Sequence, residues 1–304
     1  RSKNFSSFKK KFLGVPAIIC GGGPSLEKES VLLKTLQDKA LIFACGAGMG
    51  VLSAHGVKPH FLVAIDPNFD EVSRVEKNFS FETPLVYRSR INKEAMGYFH
   101  GPLLFNNYSS NYPTFELLED YFDIPQEPCE EGHSSVTFAV AMALEMGCNP
   151  ITFLGVDLSY SDEKKYSKGA MNLMRCDKEN EREHRKDWEG LTKRKDIFGN
   201  QVTTMWKWIT ESFWLSALLR ENPETTWINA AQSGIGFKCI ANMSLKVIEK
   251  QFLSRSWDLE QRIFQETQVL PNIIESEEKL FDLYTLMKKE VIAAKEITQE
   301  IILN

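Results

Sequence analysis

The strongest constraint on the fold is a repeated alternation of short apolar runs with helix-forming segments. The apolar runs lie at 15–20, 40–45, 60–65, 83–87, 102–106 and 150–154, with a last one at 227–229. Short runs bounded by glycine, proline and polar residues are typical of buried strands, and helices between successive strands favour a parallel arrangement of those strands. The sequence therefore predicts an α/β protein whose Rossmann-like, doubly wound, mostly parallel sheet carries helices on both faces.

Composition places the chain among ordinary globular proteins. Of its 304 residues, 43% are hydrophobic and 25% are charged, and the net charge of −5 offers no basic surface for nucleic acid. No apolar run approaches the roughly 20 residues that span a bilayer, and the N-terminus lacks the apolar region of a secretory signal. The six cysteines lack the Cys-x-x-Cys spacing of zinc sites, which fits reduced thiols. We expect a cytoplasmic protein with no nucleic-acid partner and no membrane span.

The predicted division of the chain has three parts. Residues 1–12 are basic and serine-rich, and we expect a loosely packed leader or a fragment of a preceding element. Residues 13–243 form the Rossmann-like domain, in which a densely charged insert at about 159–202 follows a strand end and is suited to act as a lid. After the insert, 203–220 predicts an aromatic-rich helix. Residues 244–304 predict a C-terminal hairpin of two long helices, which packs on the domain or on a partner.

The turn after the first apolar run, at 21–26, reads GGGPSL. A strand, a glycine turn and a helix N-terminus together form a common anion site, because free N–H groups and the helix dipole favour negative charge. Glycine permits close approach of a ligand, and Pro24 fits a first helical turn. Ser25 is expected either to cap the helix or to bind a phosphate oxygen. We therefore predict phosphate contacts from Gly22, Gly23, Pro24 and Ser25; the alternative is a tight turn without a ligand.

Two carboxylates directly follow predicted strands. Asp66 comes after the run at 60–65, and Asp157 comes shortly after the run at 150–154. Ligands of open α/β sheets bind at the carboxyl ends of the strands. We expect Asp66, with Asn68 beside it, to contact a ribose, a base or a metal, and Asp157 to reach the same edge. The alternative for Asp66 is a helix cap.

A second glycine turn, at 46–51, follows the run at 40–45. It is similar to a dinucleotide fingerprint, but Val51 stands where the last glycine belongs. We therefore expect Gly46 to line a nucleotide pocket, in preference to a separate NAD site.

Two serines and one histidine extend the candidate site. Ser134 and Ser135 stand at the start of a helix that runs through residue 146, and their hydroxyl and N–H groups suit a second anion. His184 is the only histidine of the charged insert, and its imidazole is a candidate general base near neutral pH. The alternative is a merely exposed histidine, because charged residues flank it on both sides.

Four motifs in fixed order resemble those of the motility-associated factor glycosyltransferases. They are GGGPSL, AIDPN, HSSVTFAVAMALEMGCNPITFLGVDLSYSDEKKYSKG and INAAQSGIG, and the resemblance covers about residues 15–240. More distantly, the chain is similar to Rossmann-like bacterial sialyltransferases that use CMP-activated nonulosonic acids. The resemblance implies transfer of a nonulosonic sugar from a CMP donor to a hydroxyl of a glycan or of a flagellin-like protein.

The resemblance also implies roles for individual residues. The GGGPSL turn would hold the nucleotide near its phosphate, Asp66 stands where the sialyltransferases have an asparagine, and Ser134 and Ser135 match their Thr-Ser pair. Tyr160 and Tyr166 are similar to the tyrosines that assist the departing phosphate. The sequence departs from the pattern at Gly46, where the sialyltransferases have an asparagine, and at Val136, where they have a glycine. Their catalytic histidine has His184 as its nearest candidate here.

Two further functions stay open at this point. The archaeal 6-hydroxymethylpterin pyrophosphokinases share this domain family, and in that case the glycine turn would hold ATP phosphates while Asp66 and Asp157 carry Mg²⁺. The third is a nucleotide-binding module without catalysis. For the functions other than the kinase, we predict no metal held by the protein and assign no cofactor. If the protein forms an oligomer, we expect the C-terminal helices to form the interface.

Overall fold

The computed structural model describes residues 2–106, 117, 120–122, 132, 134–160, 190–268 and 277–303. Within them, nine strands form one sheet in which all neighbouring strands run parallel. These strands are β1 (Ser2–Asn4), β2 (Ala17–Cys20), β3 (Leu41–Cys45), β4 (Phe61–Ala64), β5 (Leu85–Tyr87), β6 (Leu103–Phe105), β7 (Ile151–Leu154), β10 (Trp227–Asn229) and β11 (Ala241–Asn242). A separate antiparallel hairpin joins β8 (Leu191–Lys195) and β9 (Gln201–Met205).

The strand order confirms the predicted Rossmann-like, doubly wound sheet. The order is β1-β6-β5-β4-β3-β2-β7-β10-β11. After β1 at the edge, the chain enters the centre of the sheet at β2, moves outward through β3 to β6, and then returns to β7 on the other side of β2. Loops that follow β2 and β7 diverge there, so their carboxyl ends form the topological switch point at which open α/β sheets bind ligands.

Helices cover both faces of the sheet, as the sequence predicts. They are α1 (Pro24–Lys34), α2 (Gly48–Ala54), α3 (Asp70–Val75), α4 (Lys93–Met96), α5 (Ser135–Glu145), α6 (Trp206–Glu221), α7 (Leu245–Phe252), α8 (Leu259–Gln268) and α9 (Glu277–Leu303). Alternate strand residues point into two cores: Ile19 and Phe43 pack towards α5, α6 and α8, whereas Ile18 and Ile42 pack towards α1 to α4 and α7. Burial on both faces explains why the strands are apolar throughout.

The N-terminal residues are part of the fold, in contrast to the loose packing expected of residues 1–12. Strand β1 pairs with β6 at the edge of the sheet. Three phenylalanines that follow it, Phe5, Phe8 and Phe12, are fully buried, and the ring of Phe8 stands edge-on to that of Phe61 at 5.7 Å between centroids. The basic residues between them hid this apolar spacing in the sequence.

Two other predictions need correction. Residues 191–195 and 201–205 form a hairpin, whereas the sequence assigns the first stretch to the charged, lid-like insert and predicts a helix from 203 for the second. The described residues of the C-terminal part form three helices, α7, α8 and α9, where the sequence predicts two. Within the described part of the chain, no helix combines the length and the hydropathy of a membrane span.

Candidate functional site at the carboxyl edge of the sheet

The glycine turn joins the ends of β2 and β7. The N–H of Gly21 donates to Leu154 O at 2.9 Å, and that of Gly23 donates to Gly155 O at 2.8 Å. A Cβ atom on Gly21 would lie 2.5 Å from Gly155 O, which no real Cβ contact allows. Glycine is therefore required here for the close approach of two protein backbones.

A buried carboxylate occupies the N-terminus of α1. Asp157 Oδ2 accepts a hydrogen bond of 3.0 Å from the N–H of Ser25, and Oδ1 accepts one from the Ser25 hydroxyl. Asp157 is 2% exposed and Ser25 is 1% exposed. Burial raises the pKa of Asp157, and the two hydrogen bonds from Ser25 partly oppose that shift. The residue therefore supplies the negative charge that a helix N-terminus favours.

Most donors of the turn are thus already engaged within the protein. The N–H groups of Gly21, Gly23 and Ser25 bond as described, and Pro24 has no N–H. Within the described residues, Gly22 alone between Gly21 and Ser25 keeps an N–H without such a bond. Pro24 occupies the first turn of α1, as predicted, with Gly23 and not Ser25 at the N-cap. A phosphate at Ser25 has to displace the Asp157 carboxylate.

The N-terminus of α5 is more open to an anion. Ser134 is its N-cap and forms a capping box with Thr137, at 2.9 Å from Ser134 N to Thr137 Oγ1 and 3.3 Å from Thr137 N to Ser134 Oγ. The next two N–H groups, of Ser135 and Val136, donate to no other group in the part of the chain that the structure describes. These are the orphan donors of a helix start, and they are half-buried or buried at the carboxyl edge of the sheet.

Gly46 lies between this helix start and a cationic side chain. Its φ is +48°, and a Cβ atom there would lie 3.2 Å from Ser135 Oγ and 4.0 Å from Arg74 Cδ. Arg74 Nη1 contacts Asp66 Oδ2 at 3.0 Å and Glu71 Oε2 at 2.7 Å. The turn after β3 therefore lies beside a serine hydroxyl and an arginine stem, and its place in a nucleotide pocket stays a prediction.

Asp66 and Asn68 form a local turn at the end of β4. Asp66 Oδ1 accepts from Asn68 N at 3.0 Å and from Asn68 Nδ2 at 2.8 Å. Partial burial alone would raise the pKa of Asp66, but the hydrogen bonds from Asn68 and Arg74 outweigh it and lower that pKa. Helix α3 begins at Asp70 with Phe69 at its N-cap, so the helix-cap alternative for Asp66 is wrong.

The two aspartates do not fit one Mg²⁺ ion. They lie on the same edge of the sheet, but β4 and β7 are three strand spacings apart, roughly 14 Å. Asp66 is paired with Arg74, and Asp157 is held by Ser25. Within the described ranges, no three His, Cys, Asp or Glu side chains approach closely enough to hold a metal ion.

Tyr160 connects the end of β7 to the hairpin and to α6. Its N–H donates to Thr203 O at 2.8 Å, and its ring lies 5.1 Å from the Trp208 ring between centroids. The other two predicted catalytic residues, Tyr166 and His184, lie outside the described residues.

Sequence reasoning missed two charged residues of this edge, Arg74 and Glu211. Arg74 follows Asp66 by eight positions. Its place on the helix directly after β4 could have indicated that it lies near Asp66. Glu211 lies in the second turn of α6 and accepts a hydrogen bond from the Ser134 hydroxyl. Nothing in the sequence spacing links positions 134 and 211.

Replacing Gly46 with alanine tests how tightly the turn fits Ser135. We expect Gly46→Ala to lower the free energy of unfolding by about 1–2 kcal/mol through its positive φ, with a further loss because Ser135 Oγ has to move. Gly14→Ala is the matched control, since Gly14 has φ +70° and nothing within 4 Å of its added Cβ. Urea denaturation measures the free energy of unfolding of both variants. Equal losses for Gly46→Ala and Gly14→Ala would contradict the close fit of Gly46 against Ser135.

Comparison with known proteins agrees with this architecture. A family model described as "6-hydroxymethylpterin diphosphokinase MptE-like" matches residues 1–163, more than half of the chain. An "Uncharacterized protein" of Treponema pallidum (strain Nichols) is 42% identical over 53 residues, which are 17% of this chain and 25% of that protein.

A solved structure shares the fold over most of the chain. The MAf glycosyltransferase from Magnetospirillum magneticum AMB-1 superposes with a TM-score of 0.63 at 17% sequence identity, covering 88% of this chain and 41% of that one. The chain therefore spans about two fifths of that protein's length and a quarter of the Treponema protein's. Both resemblances predicted from the motifs are confirmed, the glycosyltransferase one as a shared fold, and the chain belongs to the 6-hydroxymethylpterin diphosphokinase MptE-like family.

Proposed function

We propose that the chain is a glycosyltransferase that moves a nonulosonic sugar from a CMP donor to a hydroxyl of a protein or glycan. The observation that carries this proposal is the N-terminus of α5, whose Ser135 and Val136 N–H groups are uncommitted among the described residues and lie next to the Gly46 turn. The fold shared with a glycosyltransferase supports the reaction class. CMP and a nonulosonic acid come from the motif resemblance.

The chemistry requires stabilisation of a leaving phosphate. As the bond from the sugar's anomeric carbon to the phosphate oxygen breaks, charge accumulates on that oxygen, and preorganised N–H and hydroxyl donors lower the barrier. Ser135 supplies a hydroxyl and an N–H, and Gly46 leaves space for the phosphate to approach them. Asp66 and Asn68 offer polar groups to a ribose at the neighbouring strand end. Tyr160 lies at the end of β7 beside α6, and we assign it to the departing phosphate.

The second candidate function is transfer of the terminal diphosphoryl group of ATP to the hydroxyl of a hydroxymethylpterin, which leaves AMP. The description of the matching family favours it. That chemistry needs carboxylates that hold Mg²⁺ against the phosphates. Asp66 and Asp157, the residues expected to do so, do not fit a common ion, so we place this function second. A non-catalytic nucleotide-binding module remains the third candidate.

A product assay separates these functions. We expect the protein to release CMP from CMP-N-acetylneuraminic acid or CMP-pseudaminic acid. Phosphorus NMR measures the amount of CMP released. Release of AMP from ATP and 6-hydroxymethylpterin with Mg²⁺, without any CMP release, would establish the kinase instead. Binding of nucleotide with neither product would support the non-catalytic module.

Ser135→Ala tests the phosphate contact in the same assay. Losing one hydroxyl donor to the leaving group is expected to slow CMP release by about 2- to 10-fold, the equivalent of about 0.5–1.5 kcal/mol. Ser256→Ala is the control, because Ser256 is exposed in the segment between α7 and α8. Equal rates in the two variants would remove Ser135 from the site.

The acceptor and the oligomeric state stay proposals. Helix α9 exposes large apolar side chains, including Phe281, Tyr284 and Val291, which is consistent with association through the C-terminal helices. Sedimentation velocity of the protein measures whether it associates; a monomer at every concentration would contradict this proposal.

A further inference from the structure

We propose that Glu211 is the general base that takes the proton from the acceptor hydroxyl. This inference rests on the proposed glycosyl transfer and names a residue for the step to which the sequence assigns only His184. Glu211 lies on α6. That helix is not part of the sequence motifs around α1, α3 and α5 on which the family resemblance rests.

The position of Glu211 follows from the way two helices begin at the same edge. Helices α5 and α6 pack in one core on the same face of the sheet, and each leads into a strand of the sheet, β7 and β10. Both therefore start near the carboxyl ends of the strands. Glu211, in the second turn of α6, accepts the hydrogen bond of the Ser134 hydroxyl at the start of α5.

The same carboxylate also acts on the thiol at the end of β3. Burial raises the pKa of the Cys45 thiol, and the nearby Cys20 thiol and Glu211 carboxylate raise it further. Cys45 directly precedes Gly46, whose turn lies against Ser135. Glu211 is thus hydrogen-bonded to the residue that precedes Ser135, and its charge affects the thiol that precedes the Gly46 turn.

The other carboxylates of the edge are less suited to accept a proton from a substrate. Asp66 is paired with Arg74 and hydrogen-bonded by Asn68, which lowers its pKa and weakens it as a base. Asp157 is 2% exposed and is held twice by Ser25. Glu211 is half-buried, whereas Asp157 is buried.

The proposed step is balanced by the two substrates alone. The acceptor oxygen forms a bond to the anomeric carbon of the sugar, while the bond from that carbon to the CMP phosphate oxygen breaks and its electron pair leaves with CMP. The proton of the acceptor hydroxyl moves to the Glu211 carboxylate. The Ser134 hydroxyl orients that carboxylate through its hydrogen bond. With water as acceptor, the same step releases the free sugar.

Substitution of Glu211 tests the proposal with the CMP-sugar as the probe. We expect Glu211→Gln to slow CMP release by about 10²- to 10⁴-fold, the usual contribution of a general base, while the CMP dissociation constant changes by less than about threefold. Glu221→Gln is the matched control, because Glu221 is exposed at the other end of α6. Formate added to Glu211→Ala is expected to restore turnover, which a purely structural role of Glu211 would not permit.

The outcomes separate this inference from the proposed function. If the wild-type protein neither binds CMP nor releases it from a CMP-sugar, the proposed function fails and the inference fails with it. If the wild-type protein is active and Glu211→Gln is equally active, only the inference fails. Loss of CMP binding in Glu211→Gln, or no rescue of Glu211→Ala by formate, would assign Glu211 to structural support of α5.

Discussion

Gly155→Ala is expected to lower the free energy of unfolding by about 2–5 kcal/mol. Gly155 has φ +67°, in the left-handed region that a Cβ disfavours, and its added Cβ would lie 2.7 Å from Gly21 O and 2.7 Å from Leu26 Cβ. Neither is the end of a flexible side chain, since one is backbone and the other is the base of a buried leucine. The junction of β2, β7 and α1 therefore has to move as a unit.

Two glycines of the chain separate the contributions to this loss. Gly199 has φ +88° and nothing within 4 Å of its added Cβ, so Gly199→Ala isolates the backbone strain of about 1–2 kcal/mol. Gly190 has no positive φ and no close neighbour among the described residues, and Gly190→Ala is expected to change stability by less than about 0.5 kcal/mol. Urea denaturation of the three variants gives the ranking; a loss for Gly155→Ala no larger than for Gly199→Ala would show that the junction is not tightly packed.

Asp157→Ala is expected to lower the free energy of unfolding by about 2–4 kcal/mol, because the buried N–H and hydroxyl of Ser25 lose their acceptor. Asp157→Asn keeps an acceptor of the same shape and should lose much less. In the double variant with Ser25→Ala, part of the loss should disappear, since one of the two stranded donors is gone. Additive losses from the two single substitutions would contradict direct coupling of Asp157 to Ser25.

The raised pKa of Asp157 also predicts the direction of a pH effect. The pKa of an aspartate in an unfolded chain is about 3.9. Between that pH and the raised pKa of the folded protein, the folded state binds more protons than the unfolded state, so the contribution of Asp157 to stability falls as pH rises through this window and is constant above it. Asp157→Asn should remove that slope from the stability of the protein measured against pH. An unchanged slope in this variant would assign the effect to another group.

The fold was predictable because burial on both faces leaves a strong pattern. The apolar runs at 15–20 and 150–154 coincide with β2 and β7, and the glycine turn marks the switch point between them. The edge of the sheet was harder to predict. Residues 2–4 pair with β6 over three residues only, too short a run for periodicity to register. The hairpin of β8 and β9 is largely polar, because it lies outside the main sheet and has little apolar surface to bury.

The candidate site was predictable in part, residue by residue. Asp66, Ser135 and Asp157 lie at the carboxyl ends of strands or at the start of a helix, where topology alone places them. Their partners were not predictable, because the contacts of Asp157 with Ser25 and of Ser134 with Glu211 join positions 132 and 77 residues apart. A single sequence carries no signal for such pairs. The turn at 21–26, which the sequence favours as a phosphate site, is instead bonded largely to the protein itself.

The most direct test of the central claim is calorimetric titration of the protein with CMP, with CMP-N-acetylneuraminic acid and with ATP in the presence of Mg²⁺. We expect both cytidine ligands to bind at the start of α5, and binding to weaken in Ser135→Ala while Ser256→Ala binds as the wild type does. Binding of ATP with Mg²⁺ and no binding of either cytidine ligand would contradict that claim.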